Sequence, residues 1–600
     1  MSEHPVGNRA SHTGSDDLAE LLRLARIAVS DRNYELAASF QERALTFDAN
    51  NADLWSDHGA VLRALGRPSA AISCYDRAIG LRPQLVSAHS NRGNALLDLR
   101  RFEESIDSFD RALAIDSAHP ESLCARGHAR VEIRAYAAAL VDFEAAIAIR
   151  PNYANAYLGR GNARLALRQW DSAIASFDSA IRIRAGFAEA HCSRGVALLR
   201  AGRSDEAIAS FNNALALRPD YAEALSNRGA AERELGQLEA SVASCEAALR
   251  TRPDYAEAHG HLGTTLLAQG RVDAAIAAYD KAIAYRPELV EPYWNKALAL
   301  LTLGDFERAW PLFEWRWKLR TALRKRNFGK PEWTGDASLT GRTILLYCEQ
   351  GYGDSIQFSR FATTVARKGA RVILKAPREL IPGLHGLEGI TQRMTVGDEW
   401  PSFDFHCSLL SLPLALGITL STIPRAHSYL TSLPAKTSYW GEVLGPRTMP
   451  RVGLAWSGRS AHANNRNRSI PLSTFLAALP GDCDYVSVQK EVNEEDATSL
   501  QANPHIRHFG NRLRDFGDTA ALCELMDLIV CVDTSVAHLA GALGKETWVL
   551  LPANADWRWL LNRTDSPWYP TMRLYRQATL GDWQTILSRV AVDLDHRLAR

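Results

Sequence analysis

The sequence predicts an α-helical solenoid followed by a separate α/β region. The first observation is a repeat, because glycine recurs every 34 residues at Gly59, Gly93, Gly127, Gly161, Gly195, Gly229 and Gly263. The second is a change after residue 341, where short apolar runs rich in β-branched residues alternate with helical stretches. The third is length, since 600 residues are too many for a single hydrophobic core.

Each 34-residue unit has the composition of a helical hairpin. Twelve residues after the glycine stands a small residue, four later a mostly aromatic one and three later an alanine, as in Ala173, Phe177 and Ala180. Small side chains let two helices cross closely, and the aromatic residue is expected to fill the gap between successive hairpins. Proline ends many units because it stops the second helix. These residues resemble the tetratricopeptide repeat family, and the register predicts nine units over residues 18–323.

The solenoid is expected to offer a concave groove to a protein or peptide, the alternative being a spacer or an oligomerisation arm. The layout is similar to the O-GlcNAc transferases, which also place such repeats before a transferase. In that family asparagines at the sixth position of each unit grip peptide backbone. Here the position holds Asp57, Asn91, Ala125, Gly159, Ser193, Asn227, His261 and Asn295. Arginine also recurs every 34 residues, and its aliphatic part is expected to pack along the helices while the guanidinium group, or head, lies in water. These residues are Arg92, Arg126, Arg160, Arg194 and Arg228.

Composition sets the remaining expectations for the chain. A net charge of +1 and a hydrophobic fraction of 46% do not indicate a protein that binds nucleic acid or membranes. Nine cysteines without a CxxC pair favour reduced thiols and a cytoplasmic protein. Residues 1–17 are polar and expected to be disordered, with no signal peptide, and no apolar stretch is long enough for a membrane span.

After the repeats, residues 324–340 gather Pro, Gly and charge and are predicted to be a linker. Two Rossmann-like halves are expected to follow, over residues 341–430 and 431–600, divided by a proline-rich stretch. Their predicted strands are the apolar runs 343–349, 371–376, 403–409, 451–458, 484–489, 527–533 and 547–552. Ligands of such sheets bind at the carboxyl ends of the strands, so the loops there are the candidate site.

The strongest of these loops opens the segment 532–552. Asp533 ends an apolar strand, Thr534 and Ser535 stand where a helix should start, and His538 lies one turn inside. Exposed amides and hydroxyls at a helix N-terminus suit a pyrophosphate. Ordinary N-capping, with His538 at the edge of the core, is the alternative.

Two further loops carry charged candidates. Arg459, Arg466 and Arg468 lie after the first strand of the second half, where cations would stabilise a departing diphosphate or simply form a basic surface loop. The GYGD turn at 351–354 places Gly353 and Asp354 at a helix start, where the carboxylate could accept a proton or only cap the helix. Lys490 is a fourth possible site residue.

In this order the three loops resemble glycosyltransferase family 9, which has the GT-B fold, over roughly residues 340–575. The resemblance implies an inverting, metal-independent transferase of hexosyl or heptosyl groups that uses a nucleotide-diphosphate sugar and no cofactor. Asp354 would be the catalytic base, and Arg468, where the family usually has Lys, would contact the donor phosphate. Asp533, Thr534, Ser535 and His538 would hold the diphosphate, with Ser535 in place of the family's glycine. The first half would face the acceptor and the second the nucleotide sugar.

No metal site is expected, because the pairs Asp482/Asp484 and Asp593/Asp595 are interpreted as solvated carboxylates. Tryptophans at 557, 559 and 568 are expected to pack the C-terminal helix onto the first half or to border the acceptor. Two other functions stay open. One is a non-catalytic repeat scaffold with a degenerate transferase domain, and the other is a sugar-nucleotide epimerase of the same fold.

Overall fold

The structure, a computed structural model, describes residues 13–319, 325–458, 465–481 and 483–598. The chain divides into two compact units, residues 1–253 and 254–600. Helix α1 begins at Thr13, so the described end of the segment predicted to be disordered is helical. The helices of the first unit are α1(Thr13–Ser30), α2(Tyr34–Phe47), α3(Ala52–Ala64), α4(Pro68–Leu81), α5(Val86–Asp98), α6(Phe102–Ile115), α7(Pro120–Glu132), α8(Tyr136–Ile149), α9(Ala154–Ala166), α10(Trp170–Ile183), α11(Ala188–Arg200), α12(Ser204–Leu217), α13(Ala222–Glu234) and α14(Leu238–Thr251).

The repeated glycine is required by the aromatic residue of the same hairpin. A Cβ atom added to Gly93 would lie 2.7 Å from the ring of Phe109, closer than any real side chain could approach. The ring therefore packs within its own hairpin, and not only between successive hairpins as the pattern suggested. Phe143 makes both kinds of contact, because its ring also lies against Gly159 of the following hairpin.

The repeated arginines tie neighbouring helices together. Arg92 donates from Nε to Asp76 at 2.7 Å, in the preceding hairpin, and from Nη1 to Ser108 at 2.7 Å, in its own. Arg194 repeats the arrangement with Asp178 at 2.6 Å. The prediction that these heads are simply solvated is wrong, because polar side chains sixteen residues away bind all five. The partners include a carboxylate for Arg92, Arg126 and Arg194, and they are uncharged groups for Arg160 and Arg228.

Two more hairpins open the second unit, so residues 13–319 as described contain nine. Helix α17(Val290–Leu303) is capped at its C-terminus by Gly304, whose φ of 80° is in the left-handed region that favours glycine. No helix of the described residues is both long and apolar enough to cross a membrane. The helices of the second unit are α15(Ala256–Ala268), α16(Val272–Tyr285), α17(Val290–Leu303), α18(Phe306–Phe313), α19(Tyr352–Arg367), α20(Leu412–Ala415), α21(Pro434–Leu444), α22(Asn465–Arg468), α23(Leu472–Leu476), α24(Glu494–Ala502), α25(Phe516–Glu524), α26(Ser535–Ala542) and α27(Trp583–Leu598).

The rest of the second unit contains two parallel sheets, as the sequence predicts. The four-stranded sheet has the order β3-β2-β1-β4 and the six-stranded sheet β7-β6-β5-β8-β9-β10. In both, the strand that comes first in the chain has neighbours on both sides, which opens a crevice at its carboxyl end. The strands are β1(Thr343–Tyr347), β2(Arg371–Lys375), β3(Ile390–Met394), β4(Phe405–Ser408), β5(Arg451–Ala455), β6(Asp484–Ser487), β7(Arg507–His508), β8(Leu528–Val532), β9(Thr547–Leu551) and β10(Met572–Arg576).

The segment predicted to be a linker lies against the smaller sheet where it is described. Residues 325–340 form no helix. Trp333 is nevertheless buried, and its backbone N–H donates to the carbonyl of His406 in β4 at 2.8 Å. This segment therefore extends the edge of the sheet beside β4.

The aromatic segment near the C-terminus packs against the last hairpin. The rings of Trp557 and Trp568 lie 6.3 and 5.6 Å from that of Phe306 in α18. Phe358 of α19 lies 6.4 Å from Trp557, and the Trp310 indole donates to the carbonyl of Ile418 at 2.8 Å. Packing is thus the role of these two tryptophans, although the partner is α18 rather than the expected C-terminal helix.

Candidate functional site

The N-terminus of α26 lies at the crevice of the six-stranded sheet. Asp533, Thr534 and Ser535 follow β8 directly, and each keeps part of its surface exposed. Thr534 is the N-cap residue in extended conformation, but its side chain makes no capping hydrogen bond. Ordinary capping therefore does not account for the Thr534 hydroxyl, and the start of α26 can accept an anion.

Asp533 is largely desolvated, although part of its surface is exposed. Burial raises the pKa of its carboxyl group, and the negative charge of Asp556 raises it further. The positive charges of Arg468 and Arg558 act in the opposite direction. The site thus gathers cations from two different loops around one carboxylate.

Arg468 ends the short helix α22 and lies against the loop after β5. A Cβ atom on Gly458 would lie 3.0 Å from its Nε, so glycine permits the approach. Among the described residues this Nε has no hydrogen-bond acceptor. The structure therefore brings Arg468 to the same crevice as Asp533. Arg459 and the side chain of Arg466 lie outside the described residues.

His538 is enclosed rather than open to the crevice. It is 5% exposed, its Nδ1 lies 3.0 Å from the Tyr569 hydroxyl, and its ring stacks on Trp559 at 5.4 Å. A Cβ atom on Gly353 would lie 2.9 Å from its Cδ2. Burial lowers its pKa well below the usual range, with nearby arginine charges adding, so the ring is neutral. The position at the edge of the core, weighed as the alternative, is the one observed.

Asp354 lies in the first turn of α19. The preceding residue, Gly353, lies against the first turn of α26. One carboxylate oxygen accepts the backbone N–H of Gly351 at 3.1 Å, which caps the helix. The other pairs with Nη2 of Arg558. Asp354 is therefore both a capping residue and half of an ion pair, with 21% of its side chain exposed.

Arg558 is the site residue that sequence reasoning missed. It pairs with Asp354 and Asp556, the latter at 2.8 Å, and donates from Nε to Gln357 at 2.6 Å. Its pKa is raised because these carboxylates outweigh the effect of burial. A charged residue between Trp557 and Trp559 in an apolar run was the available signal.

A second carboxylate cluster lies at the carboxyl end of the four-stranded sheet. Glu349 follows β1 and pairs with Arg316 at 2.8 Å, with both side chains 3% exposed. Arg316 also binds Glu314 and the hydroxyl of Ser411, which follows β4. The last hairpin is thus joined to the crevice of this sheet.

The remaining candidates make other polar contacts. Lys490 is exposed after β6, where its ammonium group donates to the carbonyl of Arg514 at 3.3 Å. Asp484 pairs with Arg451 at 3.2 Å and Asp593 with Arg573 at 2.6 Å, so the interpretation of solvated carboxylates is wrong for these two. In the part of the chain that the structure describes, no group of three or more His, Cys, Asp or Glu side chains could hold a metal ion.

A cavity of about 380 Å³ adjoins the loop after β5. Ser457 and Gly458 line one side, and Asn493 and Glu495 at the start of α24 line another. The Glu495 carboxylate and the polar groups beside it could accept hydrogen bonds from the hydroxyl groups of a ligand.

Sequence models of the tetratricopeptide repeat match residues 57–120, 124–186, 192–256 and 263–304. The repeats are tetratricopeptide repeats. The chain is 26% identical over 321 residues to the protein FlbA of Caulobacter vibrioides. The aligned region covers 49% of this chain and 53% of FlbA. The chain thus spans about half the length of this curated relative.

Parts of the chain also resemble solved structures. The Cut9-Hcn1 heterotetramer of the APC/C has a TM-score of 0.38 at 18% identity, over 48% of this chain and 57% of that one. The MamA protein has a TM-score of 0.26 at 27% identity, over 29% of this chain and 94% of that one.

Proposed function

We propose that the α/β part is an inverting, metal-independent glycosyltransferase of GT-B architecture that uses a nucleotide-diphosphate sugar. The observation that supports it most is the uncapped N-terminus of α26 beside Arg468, at the crevice of a sheet with the dinucleotide-binding strand order. Amides, hydroxyls and a guanidinium group supply the charge that a diphosphate needs.

In the proposed reaction an acceptor hydroxyl attacks the anomeric carbon of the sugar. The new bond from the acceptor oxygen to carbon forms as the bond to the diphosphate oxygen breaks, which inverts the anomeric centre. Asp354 accepts the acceptor proton, and Arg558 fixes the orientation of its carboxylate. Negative charge on the departing diphosphate is stabilised by Thr534, Ser535 and Arg468. His538 supports the start of α26 from behind instead of contacting the donor.

The tetratricopeptide scaffold supports a protein-interaction role. We propose that the repeats recruit the protein or glycan acceptor, that residues 341–430 face it, and that residues 431–600 hold the nucleotide sugar. One observation favours the rival function of a non-catalytic scaffold. Both oxygens of Asp354 already have partners, Gly351 and Arg558, as they would in a purely structural carboxylate.

Asp354→Asn tests the catalytic role, assayed with a panel of nucleotide sugars. Asparagine keeps an oxygen for the Gly351 amide but accepts no proton, so transfer should fall by ~10² to 10⁴-fold. Nucleotide affinity should stay within about threefold, because the donor phosphates do not contact this residue. Asp398→Asn is the matched control, since Asp398 also accepts a backbone N–H, from Thr395, in an exposed loop of the same half. Equal activity of Asp354→Asn and the native protein would contradict the assignment, as would the absence of transfer or donor hydrolysis in the native protein.

A further inference from the structure

The arginine ladder of the first unit contains two adjacent hairpins that each carry an arginine pair. Arg126 and Arg130 lie on α7, and Arg160 and Arg164 occupy the same positions on α9, 34 residues later. The two hairpins differ in the residue that contacts both arginines. The position of Asp142 in the first hairpin is held by Ser176 in the second.

In the first hairpin the charges balance. Asp142 is 1% exposed and accepts hydrogen bonds from Arg126 at 2.6 Å and from Arg130 at 2.8 Å. Arg126 also pairs with Asp110. Two arginines thus face two carboxylates, which is the condition for burying such charges.

In the second hairpin one positive charge has no carboxylate counterpart among the described residues. The Ser176 hydroxyl lies 3.3 Å from Nε of Arg160 and 3.2 Å from Nη1 of Arg164, and it carries no charge. The described carboxylate beside the pair is Glu144, 3.3 Å from Arg164 and 52% exposed. Burial and the charge of Arg164 lower the pKa of Arg160, as expected for two cations without full compensation. Single arginines elsewhere on the ladder have a carboxylate each, such as Arg194 with Asp178 at 2.6 Å.

We propose that Arg160 and Arg164 bind a carboxylate of an acidic polypeptide segment lying against the repeats. A carboxylate is the group that the fold itself supplies to the equivalent arginine pair one hairpin earlier. The pair is reachable, because 22% of the Arg164 side chain is exposed. The ring of Tyr157, on the same helix, lies 4.9 Å from the Arg160 guanidinium. This proposal does not depend on transferase activity.

The neighbouring hairpin provides the variant that tests it. Ser176→Asp should place a carboxylate of the protein itself between Arg160 and Arg164, as Asp142 does in the preceding hairpin. This carboxylate should compete with a carboxylate of the bound peptide. The probe is a labelled peptide of alternating Glu and Gly, with a version carrying Gln for Glu, titrated into the full chain by fluorescence anisotropy. We expect the Glu peptide to bind more tightly than the Gln peptide. Ser176→Asp and Arg164→Gln should each weaken the binding of the Glu peptide by roughly tenfold.

Ser69→Asp is the matched control, because it makes the same change of residue and charge at an exposed position of another hairpin. It should leave the affinity unchanged within about twofold. Equal binding of the Glu and Gln peptides would overturn the proposal. So would a Ser176→Asp or Arg164→Gln protein that binds like the native one, or a loss with Ser69→Asp as large as with Ser176→Asp, since attraction by the whole surface would then explain the binding.

Discussion

Burial and ion pairing compete at Glu349, the buried carboxyl group after β1. Burial raises its pKa to about 7, although the charge of Arg316 acts in the opposite direction. The pKa of Arg316 is raised as well, despite its burial, because Glu349 and Glu314 both pair with it. Both pKa values can be raised because the pairing of Arg316 with Glu349 offsets only part of the effect that burial has on the Glu349 carboxyl group. Arg316 divides its charge between two carboxylates, and Oε2 of Glu349 has no donor among the described residues.

Glu349 should therefore make stability depend on pH. Between about pH 4.5 and 7 the folded state holds a proton that the unfolded state releases, so the free energy of unfolding falls as pH rises through this window. Relative to Glu349→Gln, the native protein should lose up to ~3 kcal/mol across it. Melting temperatures measured from pH 5 to 8 check this, with the exposed Glu388→Gln as the control. A native protein that gains stability over the glutamine variant as pH rises would show that the Arg316 pair outweighs burial.

At the scale of elements, regular side-chain patterns were predictable and edge features were not. The hairpins follow from glycine, alanine and aromatic positions, and the central strands from continuous apolar runs such as LIVCV in β8. The strands β3, β7 and β10 were missed because each lies at a sheet edge, where one side lacks a neighbouring strand and polar residues interrupt the pattern. The arginine ladder was misinterpreted because its partners stand sixteen residues away on other helices.

Asp142 should be the most costly carboxylate of the ladder to remove. Asp142→Asn leaves two arginines facing a neutral group in a site that is 1% exposed, which should cost about 3 kcal/mol of stability. Asp110→Asn is the control, since Asp110 pairs with the same Arg126 but is 49% exposed, and it should cost under about 1 kcal/mol. Thermal and urea unfolding followed by helical circular dichroism measure both. Equal destabilisation by the two changes would rule out the buried pair as the cause.

At the scale of the whole molecule, the sequence locates the residues at the helix starts of the candidate site but not the residues that tertiary packing brings to them. Thr534, Ser535 and Asp354 were found because loops after parallel strands have recognisable helix starts. Arg558 was not, because its pairing with Asp354 joins residues 204 positions apart and depends on tertiary packing. The enclosure of His538 by Tyr569 and Trp559 likewise follows from packing and not from local pattern.

The central claim is that the start of α26 binds a nucleotide diphosphate, and calorimetric titration with UDP, ADP and GDP tests it most directly. We predict that at least one binds the native protein, and that Thr534→Ala combined with Ser535→Ala weakens it by ~1 to 3 kcal/mol. The melting temperature should hardly change, because the Thr534 side chain makes no capping bond. Thr498→Ala with Ser499→Ala on α24, where both hydroxyls bond to backbone carbonyls, is the matched control and should bind like the native protein. No binding of any nucleotide diphosphate, or a lowered melting temperature with unchanged affinity in the Thr534/Ser535 variant, would contradict the account.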